Sequence, residues 1–188
     1  MKLSKNCFLG LLIWLTHSSS AYSFEIPEEV VAKENEVIEI SRSHIQNNKD
    51  NLDLILKLFN DNKRLYSISQ DSETSISGEA FDSEIRAKLV PFRFDNKKLE
   101  NNLLSALSSL KTVSFNRKEG KIRSYAGNAE AGKYLMESAL VYQDGNNIND
   151  IHCENRRKQV TFRTCQVFLF GDWYLHFYWS DPIRFKPN

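Results

Sequence analysis

Cys153 and Cys165 are the residues whose type and spacing most readily suggest chemistry, and His152 and Glu154 flank the first of them. Such a pair can form a disulfide, hold a metal or supply a thiolate. A structural zinc site takes four ligands at short spacings, and here only His152 stands near. A Cys–His nucleophile needs a free thiol. The expectation is therefore a Cys153–Cys165 disulfide, which stabilises by about 3 kcal/mol in the chain-entropy model. His152 and Glu154 then read as solvated loop rather than an acid–base pair, since catalysis requires geometry first.

Other chemical signals are sparse. Beyond residue 23 the histidines are His44, His152 and His176. No serine sits in a glycine-flanked nucleophile elbow. "GNAEAGK" at 127–133 touches a phosphate-loop pattern but lacks its spacing and the Ser or Thr after Lys133. Acidic residues crowd into 25–39 and 71–84 at positions that read as exposed, with no pair assigned to opposite sides of a cleft as glycoside hydrolysis requires. "ENRRK", with Arg156 and Arg157, and Arg163 beyond it, forms a basic region beside the cysteines. Nothing calls for a cofactor or a metal, and no catalytic residue is assigned.

The elements that position these residues begin after an export signal. Lys2 and Lys5 precede the apolar run "CFLGLLIWL", and "AYS" supplies small residues for cleavage after Ser23. That run is about half the ~20 residues needed to span a bilayer. Its removal leaves 165 of 188 residues, with 23 basic and 24 acidic side chains. Such a balance gives no reason to expect nucleic acid, which calls for a basic excess. No second apolar run remains to span a membrane. The two remaining cysteines suit an oxidising compartment, periplasmic or extracellular.

Residues 24–63 predict a helical hairpin. Val30, Val37 and His44, and likewise Val31, Ile38 and Ile45, recur on one helical face. Asp50 is the expected cap of a second helix that buries Leu52, Ile55, Leu56 and Phe59. Residues 64–95 read as a loop-rich connection: "YSISQDSETSISGE" lacks apolar periodicity, and a short helix around "AFDSEIRAKL" would end before Pro91. Asp95 then caps a helix striped by Leu99, Leu103, Leu107 and Leu110, which belongs to the core. From residue 112 the period falls to two. "TVSFNR" and "KIRSYA" flank a glycine-containing turn, "YLMESALVYQ" follows, then a loop with Cys153, then "KQVTFRTCQVFLF" and "WYLHFYWS".

Gly171-Asp172 fits a two-residue hairpin turn. Simple alternation from it sets Phe170 opposite Trp173, Phe168 opposite Leu175 and Gln166 opposite Phe177. One face would hold Val160, Phe162, Phe168, Phe170, Trp173, Leu175, Phe177 and Trp179, under the leucine-striped helix. The reverse would carry Arg163, Cys165, Val167 and Leu169 with Tyr174, His176 and Tyr178, either covered by the helical hairpin or free for recognition.

The fold class expected is α+β: N-terminal helices and a central amphipathic helix packed on a C-terminal antiparallel sheet of about four or five strands, in one domain over 24–188. A helix followed by a curved antiparallel meander resembles cystatin-like and nuclear-transport-factor-like folds, a likeness of architecture that implies no function. The leading functional expectation is an exported, non-catalytic binding protein, an inhibitor or immunity-type protein that binds a secreted enzyme. Its candidate contact residues are Tyr174, His176, Tyr178, Arg156, Arg157 and Arg163. The partner is another protein, with a glycan as the alternative ligand. The rivals are a small secreted hydrolase or glycan-active enzyme using His152 or His176, and a structural part of an envelope assembly.

Overall fold

The structure, a computed structural model, describes residues 25–85, 88–145, 150–156 and 159–182. The expected export signal at 1–23 lies outside the described residues.

Two helices open the described chain. Helix α1, Glu28–Asn47, starts after Pro27, with Glu28 and Glu29 in its first turn, where carboxylates meet unpaired N–H groups. It buries Val30, Glu34, Ile38 and Ile45, so the stripe advances mainly in fours and includes an acid; Val31 is 40% exposed. Helix α2, Lys49–Asp61, buries Leu52, Ile55, Leu58 and Phe59, while Leu56 is only partly buried. Asn48, not Asp50, stands at the break. Its side-chain nitrogen donates to the His44 carbonyl at 2.9 Å, and its Oδ1 accepts from Asn51 at 3.0 Å.

The sheet is the main correction to the sequence expectation. Among the described residues nine antiparallel strands, not four or five, run β1 Leu65–Ser72, β2 Ser75–Phe81, β3 Leu89–Pro91, β4 Ser114–Lys118, β5 Lys121–Ala131, β6 Tyr134–Tyr142, β7 Ile151–Asn155, β8 Thr161–Phe170 and β9 Trp173–Ser180. Their order is β3-β2-β1-β4-β5-β6-β9-β8-β7. Helix α3, Lys97–Ser109, separates β3 from β4 and is capped by Asn96, whose Oδ1 accepts the Leu99 N–H at 2.9 Å, one residue past the expected Asp95. The class remains α+β.

Four strands come from segments read otherwise. The serine-rich stretch pairs as the β1–β2 hairpin, because ladder bonds are made by backbone and need no apolar side chains on the solvent side. Ser67, Ser69, Ser77 and Glu79 share that side, while Ile68 is fully buried on the other. None of the described residues of the expected short helix is helical: Asp82 Oδ1 instead accepts the N–H groups of Glu84 and Ile85 at 2.7 and 3.0 Å. Pro91 is tolerated because β3 is an edge. The Cys153 loop is strand β7.

All three described helices pack on the sheet face that carries Trp173. One buried cluster joins Ile45 and the stripes of α2 and α3 to Ile68, Phe115, Ile122, Leu140 and Trp173. A second joins Val30 and Ile38 of α1 to Met136, Phe162, Cys165, Val167, Leu175, Phe177 and Trp179. Each large side chain so buried stabilises by roughly 1.5–3 kcal/mol. Among the described residues, no helix is long and apolar enough to cross a membrane.

The last hairpin reverses at Gly171-Asp172 with Phe170 opposite Trp173, as expected, but the register then slips. Leu169 is an extra residue between the pairs Phe168–Tyr174 and Phe170–Trp173. Phe168 and Trp173 therefore project to opposite sides of the sheet, contrary to simple alternation. Unbroken alternation would have driven Gln166 and Thr164 into the core without partners, which costs free energy. The bulge instead aligns Val167 with Leu175 and Cys165 with Phe177 on the buried side. Val160, expected in the core, is 41% exposed.

Candidate functional site

The register places three cross-strand rows on the sheet face away from the helices. Arg123, Val141, Tyr174 and Phe168 make the first; Tyr125, Ala139, His176, Gln166 and His152 the second; Glu137, Tyr178, Thr164 and Glu154 the third. Side chains in a row are direct neighbours, about 4.5–5.5 Å apart at Cβ. Exposure is graded across the face. Tyr174 and Val141 are buried, His176, Tyr178, Gln166, Thr164 and Phe168 are half-buried, and Tyr125, Glu137, His152 and Glu154 are exposed.

Tyr178 donates its hydroxyl to Glu137 Oε2 on β6, and this bond to a carboxylate, followed by burial, raises its pKa. Burial, then the Asp172 charge, raises that of Tyr174, whose ring meets Phe168 edge-on at 5.9 Å. His176 is held below the ordinary imidazole value, first by burial and then by the cations Arg123 and Lys121 of β5. A neutral imidazole offers one donor and one acceptor. Next to it lies a shallow depression of about 400 Å³ lined by His152, Glu154, Thr164, Gln166 and His176. His152 and His176 lie on strands separated by β8, so their backbones stand about 10 Å apart. His152 Nε2 lies 3.9 Å from Glu154 Oε1, and both are exposed. Among the described residues, no group of three His, Cys, Asp or Glu side chains is placed to hold a metal ion. What the face offers is a mixed array of rings, donors and acceptors.

The structure separates the candidate contact residues. Tyr174, His176 and Tyr178 share the open face, with Tyr174 2% exposed. Arg163 does not join them: it lies opposite Trp179 on the helix side, where its Nε and Nη2 donate to Glu34 at 2.5 and 2.9 Å and Nη1 to Asn155 at 2.9 Å. The same bulge at Leu169 moved it there. Arg156 is exposed, its guanidinium 3.6 Å from Glu154; Arg157 lies outside the described residues. Cys153 and Cys165 are bonded, directly opposite each other on β7 and β8, and also on the helix side. The helical hairpin thus covers the disulfide face, not the Tyr174 face. "GNAEAGK" forms the end of β5 and its turn into β6.

Sequence reasoning missed Glu34, Tyr125, Glu137, Thr164, Gln166 and Phe168. Glu34 had a signal, an acid four residues from both Val30 and Ile38 on the buried stripe. The residues of β8 had none without the bulge. Compared with known proteins, the chain matches no family model, no curated protein and no solved structure, so the architectural likeness to cystatin-like and nuclear-transport-factor-like folds gains no support there.

Proposed function

We propose that the chain is an exported, non-catalytic binding protein that meets a protein partner, a secreted enzyme it inhibits or neutralises, on the open face of the sheet. One observation carries this reading: every described helix packs on one face of the sheet, and the other presents Tyr125, His152, Gln166, His176 and Tyr178 together. Recognition surfaces favour such rings, which supply contact area with little conformational entropy to lose. Export is supported by the leader-like first 23 residues and the disulfide.

The test is capture from secreted and envelope fractions, comparing wild type with a variant in which Tyr125, His152, His176 and Tyr178 are all replaced by Ala. The expected result is a specific enzyme retained by wild type, its activity lowered on binding, and lost from the variant with its circular dichroism unchanged. Equal retention by both proteins contradicts the reading.

A further inference from the structure

The two core clusters do not close fully against each other. Between the second half of α1, the end of α3 and strands β5, β6, β8 and β9 lies a cavity of about 210 Å³, walled by Ile45, Leu110, Leu140 and Leu175. Its origin is legible in α1. The buried stripe runs Val30, Glu34, Ile38 and then Ile45, and the seat between the last two is occupied by Ser41, which lines the cavity. A serine where a large aliphatic side chain would seal the seam leaves space, and close-packed interiors rarely keep such space without cause.

The lining is also partly polar: His44, Thr112 and Ser124 belong to it, and the hydroxyls of Thr112 and Ser124 bond to each other and reach the Tyr125 carbonyl. Lys111 lines the same cavity and is exposed, so a cation stands where it meets solvent.

Lys111 supplies an independent observation. It follows α3 in the left-handed region, φ 53°, with its N–H on the Ser108 carbonyl and that of Thr112 on the Leu107 carbonyl. This is the helix ending at which glycine costs least. A lysine there carries a steric cost of the kind that persists at functional positions.

We propose that the cavity binds a small amphipathic monocarboxylate, its apolar body among Ile45, Leu110, Leu140 and Leu175 and its carboxylate directed to Lys111. A dry cavity of about 150 Å³ takes a benzene ring, so this one, open at the lysine end, accommodates a body of roughly six to ten carbons. The site is separate from the open sheet face and does not depend on the partner proposed there.

Calorimetric titration of the full mature chain with octanoate and with octanol tests it, alongside Ser41→Leu and Lys111→Gly. Wild type is expected to bind octanoate saturably, one per chain, at least about tenfold more tightly than octanol, since a charge-assisted contact is worth that much. Lys111→Gly should fold at least as stably and bring the two ligands within about twofold of each other. Ser41→Leu should melt higher and bind neither. Absence of saturable octanoate binding by wild type overturns the proposal. So does an undiminished octanoate preference in Lys111→Gly, or wild-type binding by a folded Ser41→Leu.

Discussion

Arg163 of β8 and Glu34 of α1 meet in a two-pronged ion pair beneath the first helix, with side chains only 15% and 6% exposed. The pair ties the start of the chain to its penultimate strand, alongside Asn155 of β7. Attraction between buried charges offsets their desolvation only when geometry and extra hydrogen bonds are good, and losing one partner strands the other. Glu34→Ala is therefore expected to cost about 3–5 kcal/mol in urea unfolding. The double replacement Glu34→Leu with Arg163→Met should recover most of that loss.

The disulfide closes a short loop and joins an edge strand to the sheet. Its loss should lower stability by about 3 kcal/mol. Unfolding midpoints of wild type and of Cys153→Ala/Cys165→Ala measure this. The fully buried Cys165 also predicts slow reaction of the native protein with reductant.

The bulge at Leu169 makes a sharp distinction between neighbours. Val167 is fully buried under α1, whereas Phe168 is half-buried on the other side. Val167→Asp should prevent folding or cost more than about 4 kcal/mol, as expected of an unpaired buried charge. Phe168→Asp should leave a folded protein weakened by about 1–2 kcal/mol, the loss of partial burial and one ring contact. Thermal melts of the two variants decide the register.

His176 predicts a pH dependence. Its folded pKa lies below the ordinary value of about 6.5 because burial, then Arg123 and Lys121, oppose its charge. Above that ordinary value both folded and unfolded chains hold a neutral imidazole. As pH falls through and below it, the unfolded chain takes the proton first, so folding stability declines until the folded pKa is passed. His176→Gln should flatten this decline as pH falls from 7 to below about 6.5.

How much of this was readable depended on where apolar side chains carried the pattern. The α3 leucines and strands β4 to β6 announced themselves by apolar period, and the turns at Glu119-Gly120 and Gly171-Asp172 by Gly120 and Gly171, which take positive φ. Strands β1 to β3 did not. Only Ile68 and Leu65 of β1 reach full burial, and the solvent side is serine, so backbone pairing left little trace in hydropathy. The candidate face was half legible. Alternation along β9 put Tyr174, His176 and Tyr178 together, but their β8 neighbours depended on one inserted residue, and a slip of one exchanges every side chain between faces.

The central claim is that a partner lands on the sheet face away from the helices. A photo-crosslinking residue placed at Gln166, in the middle of that face, and another at the exposed Lys57 on α2 would test it in intact secreted or envelope fractions. The expected result is one discrete adduct from position 166 and none of that mass from position 57. The same adduct from position 57 alone would place the contact on the helical side and contradict the account.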